Sequence, residues 1–262
     1  MIPASALAAL HAIPPGLAAY SIAIVFIGYV VLGVSGFGSA LTIVPLLALK
    51  WPLVTVVPVV LLTDLPSTLL LARLNMRAVR WGELGVLVPG ILAGAAFGTW
   101  IARWTSHPWA LALLAAYVIA VAMRRARGFA PAHGAASRPW AAFAGVLAGV
   151  IESLFGTAGP VLVAWLSRRL HDPSALRATV LPALVAATAC ALAGMAVSGQ
   201  LAQPLVWTAF PFVFGTGLLG TTLGHHIARR LPPALVGRAI LSLLFFAGTA
   251  MALHAWQMAS AG

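Results

Sequence analysis

The feature that most constrains this chain is an uncharged stretch of 51 residues between Arg177 and Arg229. About 20 apolar residues of helix cross a bilayer's hydrocarbon core, so the stretch holds two crossings and their connection. Nothing before Lys50 and nothing after Arg238 is charged either. Asp, Glu, Lys and Arg make up 7% of the 262 residues and apolar residues 62%, where a soluble domain carries about 25% charged residues. No soluble surface covers that much apolar side chain with so few charges. The expectation is an all-α polytopic membrane protein whose first partner is the lipid bilayer.

The net charge of +11 comes from 14 Arg and one Lys against four acids. It does not point to nucleic acid, because the Arg residues sit in short segments between apolar runs. Arg73, Arg77 and Arg80 form one such segment, and Arg124, Arg125, Arg127 and Arg138 a second. Arg168, Arg169 and Arg177 form a third, and Arg229, Arg230 and Arg238 a fourth. Cationic loops stay on the cytoplasmic side, so these segments read as topological signals. The Ala-rich, Arg-over-Lys composition points to a bacterial inner membrane. The first apolar run lacks a cationic leader and is expected to be retained as a span.

Eight long apolar runs lie near 17–35, 54–72, 84–102, 108–123, 139–155, 178–198, 206–226 and 236–256. Two short ones, 40–49 and 159–167, follow the first and fifth. The expected fold is therefore eight long transmembrane helices plus two short or broken membrane segments. If both short runs cross, there are ten crossings and all four cationic segments share the cytoplasmic side. If both re-enter, 168–177 falls opposite 73–80 and the charge pattern breaks. The ten-element version is the expectation.

The halves resemble each other. Gly36 matches Gly156 at an offset of 120. An offset of 126 aligns Trp81 with Trp207, Leu92 with Leu218, Gly94 with Gly220, Gly98 with Gly224, and Ile101-Ala102-Arg103 with Ile227-Ala228-Arg229. Residues 1–128 and 139–262 then form two repeats joined by a linker, 129–138. Five elements per repeat, an odd number, make the second inverted, as in many secondary transporters.

Candidate function lies where the helices are interrupted. GVSGFGSALTIVP, from Gly33 to Pro45, and SLFGTAGP, from Ser153 to Pro160, both combine glycines, hydroxyls and a proline. Glycine permits a break, and broken backbone at membrane depth survives only beside protein or a watery cavity. A helix starting after each break would offer N–H groups and a positive dipole end to an anion. Gly36, Gly38, Ser39, Thr42, Ser153, Gly156, Thr157 and Gly159 are the candidate substrate-binding residues. The rival role for these glycines is tight helix crossing. Asp64 and Glu152 lie within apolar runs, where an ionised carboxylate is costly, and each is a candidate for proton coupling or a neutral structural acid. Asn75 and Arg77 are candidates for the inner mouth. Adjacent His225 and His226 point about 100° apart on a helix, and the lone Cys190 offers no disulfide or thiolate set, so neither metal nor cofactor is expected. No nucleotide-binding loop, nucleophile–base pair or HExxH sequence argues for an enzyme. The tryptophans Trp51, Trp81, Trp104, Trp109, Trp140 and Trp207 sit near expected span ends, as an interfacial belt does.

The segments GVSGFGSALTIVPLL (33–47), LNMRAVRWGELGVLVPGILAGAAFG (74–98) and ESLFGTAGPVLVAWL (152–166) are similar to the sulfite exporter TauE/SafE family of bacterial membrane transporters, over about residues 17–256. The resemblance implies movement of a small anion such as sulfite, sulfoacetate or thiosulfate across the cytoplasmic membrane, and the expected function is its export by alternating access as the two halves rock. The chain departs from the family pattern in Gly38-Ser39-Ala40 and Thr157-Ala158-Gly159, which replace fuller glycine runs, and in the acid at Glu152. An uncoupled anion channel or facilitator and a non-transporting membrane assembly subunit remain rival readings, and a homodimer is left open.

Overall fold

The computed structural model describes residues 13–35, 38–73, 76–102, 108–127, 138–170, 172–228 and 233–260. Gly36, Asn75, Trp104, Arg103, Arg229 and Arg230 lie outside the described residues. Among the described residues, ten α-helices follow in chain order: α1 (Pro15–Ser35), α2 (Ser39–Leu47), α3 (Leu53–Arg73), α4 (Trp81–Ala102), α5 (Pro108–Ala126), α6 (Arg138–Phe155), α7 (Gly159–Arg169), α8 (Pro173–Val197), α9 (Pro204–Ala228) and α10 (Pro233–Ser260). Short 3-10 turns, Met76–Ala78 and Gln200–Ala202, precede α4 and α9.

Each apolar run becomes a helix because hydrocarbon offers the backbone no partner outside its own ladder. Helix starts carry local signals. At α8, Asp172 accepts from the Ser174 and Ala175 amides, both at 3.1 Å, and Pro173 follows in the first turn. Among the described residues, five spans are long and apolar enough to cross a membrane: Pro15–Val34, Leu53–Arg73, Trp81–Ala102, Ser174–Val197 and Pro204–Ile227. Trp109–Arg124, Trp140–Phe155 and Leu241–His254 are shorter apolar helical stretches. Large apolar side chains such as Trp100, Phe212, Leu219, Phe246 and Leu253 face outward. Trp81, Trp109, Trp140 and Trp207 are exposed within the first turn of their helices.

The short helices, of 9 and 11 residues, rise only about 14 and 17 Å at 1.5 Å per residue. Each folds back along the long helix before it. Tyr20 OH in α1 donates to the Leu46 carbonyl at the far end of α2 (2.6 Å), and Trp51 Nε1 donates to Ser21 Oγ (3.0 Å). The α1–α2 pair thus brings the chain back to the end of the bundle where α1 begins. The α6–α7 pair does the same at the opposite end, where Arg169 closes α7 against Glu83 at the start of α4. A long and a short helix together restore the starting side, so the short one need not match the hydrocarbon thickness. As a result 73–80 and 168–177 share one end, joined by Arg169–Glu83 and by the Arg80 amide donating to Thr179 Oγ1 (3.1 Å).

Close helix contacts are made through glycine. In α4 against α6, methyl groups added at Gly94 and Gly98 would meet the Val146 and Val150 backbone. In α9 against α1, methyl groups at Gly220 and Gly224 would meet the Phe26 and Val30 backbone. Residue numbers rise together in both pairs, so the partners run parallel. The helices approach until backbone touches backbone, the use of small residues where lipid supplies no hydrophobic drive.

Candidate transport site

Both breaks turn on a glycine with positive φ. Gly38, at φ 99°, precedes α2, and Gly156, at φ 67°, follows α6. A side chain at either is strained, which is why glycine stands there. The breaks face each other across the bundle, with Leu61 of α3 and Ala40 of α2 beside Gly156. Between them lies a cavity of about 30 Å³ lined by Gly38, Ser39, Gly156, Thr157, Gly159 and Pro160, and by Asp64 and Thr68 of α3, Glu152 of α6 and Thr188 of α8.

The two acids are held differently. Ser39 Oγ, in the first turn of α2, donates to Asp64 at 2.9 Å from one oxygen and 3.0 Å from the other. Tyr29, fully buried in α1, donates to the Val60 carbonyl at 3.4 Å, and its hydroxyl also interacts with Asp64. Glu152 accepts from the Ala158 amide (2.8 Å) at the mouth of α7 and from Thr188 Oγ1 (2.6 Å). Tyr117 of α5 donates to the Thr157 carbonyl at 2.8 Å. Thr157 Oγ1, in a residue only 3% exposed, has no hydrogen-bond partner. No Arg, Lys or His lines the cavity among the described residues. The arrangement can therefore receive a small polar or anionic group through hydroxyls and amides alone, and it contains no fixed positive charge to trap one permanently.

The family model described as "Sulfite exporter TauE/SafE" matches residues 20–251. This chain belongs to the TauE/SafE family. A probable inner membrane transporter protein, TsaS of Comamonas testosteroni, is 35% identical over 203 residues, covering 76% of this chain and 83% of that protein. No solved structure matches the chain. This TauE/SafE member is thus a multi-pass inner-membrane transport protein rather than an enzyme.

Of the residues singled out in sequence, Gly38, Ser39, Gly156, Thr157, Gly159, Asp64 and Glu152 meet at the cavity. Ser153 does not line it. Its hydroxyl turns to the Ala95 carbonyl of α4 (3.2 Å), because neighbours on a helix point about 100° apart and Glu152 takes the inward direction. Thr42 is fully buried in α2 with its hydroxyl unpartnered, and it does not line the cavity although its neighbour Leu41 does. Gly36 and Asn75 are outside the described residues, and Arg77 is exposed on its 3-10 turn. His225 and His226 are exposed at the end of α9, and among the described residues no three His, Cys, Asp or Glu side chains group as a metal set. Thr188, Thr68, Tyr29 and Tyr117 were not singled out. Thr188 did carry a faint signal, as the one hydroxyl in the stretch 180–197 of α8.

Proposed function

We propose that this TauE/SafE protein is a secondary transporter that exports a small anion, of the sulfite, thiosulfate or sulfoacetate kind, across the inner membrane by alternating access. The observation that carries this is the convergence of two helix N-termini, α2 and α7, on one buried polar cavity with an unpartnered Thr157 hydroxyl. A helix N-terminus presents backbone donors and a positive dipole end to an anion without a buried cation. The relative's description as an inner membrane transporter agrees with it.

The architecture is an inverted duplication of residues 1–128 and 139–262, with eight long and two short membrane elements. Its support is the matched helix contacts. Phe26 and Val30 stand 120 residues before Val146 and Val150, while Gly94 and Gly98 stand 126 before Gly220 and Gly224. The cationic segments then face the cytoplasm. A cavity of about 30 Å³ has room for roughly one or two waters, too little for an oxyanion without rearrangement. That favours a closed stage of a cycle over a standing channel. Substrate would be admitted as the two halves rock, with Asp64 or Glu152 taking up a proton in the course of the cycle.

Purified protein in liposomes, offered sulfite, thiosulfate, sulfoacetate and acetate in turn, provides the test. Saturable flux of at least one, driven uphill by an imposed proton or substrate gradient, is the expected result. Flux that never exceeds the imposed gradient points to a facilitator. No flux of any of them, from protein that remains folded, removes the reading.

A further inference from the structure

We propose that the Glu152 carboxylate is a resident stand-in for the transported anion: substrate takes over the Ala158 amide and the Thr188 hydroxyl that Glu152 now holds. This rests on the reading of the cavity as the anion site and names what occupies that site when substrate is absent.

The chemistry of the partners carries it. A backbone amide at a helix mouth and a side-chain hydroxyl are the donors that hold an oxyanion. Here each takes one oxygen of Glu152, at 2.8 and 2.6 Å. Pro160 has no N–H, and the Val161 and Leu162 amides both close on the Ala158 carbonyl. Independently, Thr157 Oγ1 lines the same cavity, buried and without a partner. An acid with two oxygens leaves that third donor idle. A ligand with one more oxygen would engage it.

The charges around the site make the exchange obligatory. The titratable groups facing Glu152 are Asp64 from α3, Tyr117 from α5 and, behind Asp64, Tyr29 from α1. Among the described residues, α4, α7 and α8 bring no titratable side chain to the lining. With no cation present, an ionised Glu152 repels an entering anion at short range in a low dielectric. An anion therefore settles there as Glu152 takes one proton from the water on the open side and gives up its two donors. Anion and proton then travel in the same direction, and the proton returns to water when the anion leaves.

The decisive experiment vacates the stand-in. Detergent-purified Glu152→Ala, with the elution profile of the wild type, is heated with sodium formate, sodium acetate or sodium chloride. Formate and acetate should raise its Tm by several degrees while chloride does not, and neither should shift the wild type, whose own carboxylate fills the place. A folded Glu152→Ala that no carboxylate stabilises overturns the proposal, even where the wild type moves anions in the liposome assay. Should that variant fail to fold, the near-isosteric Glu152→Gln carries the test through binding of thiosulfate, an anion that does not itself titrate near neutral pH. One proton taken up per anion makes wild-type affinity fall about tenfold per unit as pH rises with Glu152 ionised. The Gln variant should bind thiosulfate more tightly with a flat profile, and a wild-type slope in that variant overturns the proposal.

Discussion

The two glycine breaks do the same backbone work with different polar wiring. At the first, Gly38 turns the chain into α2 and Ser39 bridges both oxygens of an acid on another helix, Asp64. At the second, Gly156 turns the chain out of α6, and the acid is Glu152 of that same helix, shared between Ala158 and Thr188. The two sets of glycine contacts between helices, in contrast, are made by glycines at matched spacing, Gly94 and Gly98 against Val146 and Val150, and Gly220 and Gly224 against Phe26 and Val30. Backbone approach tolerates almost no change in side-chain volume, so those positions stay alike. A hydrogen-bonded acid needs only some donor within reach, and several elements can provide it.

That contrast is open to direct attack, and the packing side should give the largest effects. Gly94→Ala drives a methyl into the Val146 carbonyl, whereas the corresponding methyl in Gly220→Ala stops 2.8 Å from the Phe26 carbonyl. Overpacking costs about 1–3 kcal/mol, more where backbone must move. We expect Gly94→Ala to lose about 3 kcal/mol and Gly220→Ala about half that, read as unfolding free energy in mixed micelles. Equal losses would mean that the two contacts are interchangeable.

The polar side should respond next. Ser39→Ala strips Asp64 of the one hydroxyl that serves both its oxygens, so the loss should be about 2 kcal/mol, within the usual cost of orphaning a buried polar group. Thr188→Val leaves Glu152 its Ala158 amide and should cost about 1 kcal/mol. The reverse order in the same unfolding assay would show that the second acid, not the first, depends more on its nearest side-chain hydroxyl.

A backbone comparison is smaller. An added methyl at Gly38 meets nothing nearer than a Val31 methyl at 4.0 Å, so Gly38→Ala should show conformational strain alone, about 1–2 kcal/mol. At Gly156 a Leu61 methyl stands at 3.3 Å, and Gly156→Ala should lose more. Thermal midpoints of the two variants, measured side by side, decide this.

The smallest effect belongs to the bundle end. Arg169 meets Glu83 through Nε and Nη2 at 2.7–3.1 Å, with side chains 27% and 20% exposed. Glu83 holds the guanidinium above its ordinary pKa through these bonds. Partial exposure and ionic screening limit such a pair to about 1 kcal/mol or less. Glu83→Gln should therefore shift stability slightly, and less at high salt. A large, salt-independent loss would make this contact a structural clamp on α7.

Helix positions were legible because a membrane helix is written in consecutive residues. The run expected at 54–72 is α3, Leu53–Arg73, and the run expected at 159–167 is the start of α7, Gly159–Arg169. The breaks were legible for the same reason, since glycines and a closing proline are neighbours in the chain. Glu152 stood out as an acid in hydrocarbon, but its partner Thr188 lies 36 residues away and no local pattern joins them. Ser153 looked as eligible as Glu152 until the helix set one toward α4 and the other toward the cavity.

The amino-acid order alone thus determined that this chain lives in a bilayer, where its helices run and where they are interrupted, because burial in hydrocarbon and backbone satisfaction depend on residues close in sequence. Only the tertiary structure decided that α2 and α7 fold back on their predecessors, and which hydroxyl answers which acid. Those outcomes depend on helix rotation and on contacts between distant segments, and neither quantity is encoded in any short stretch of chain.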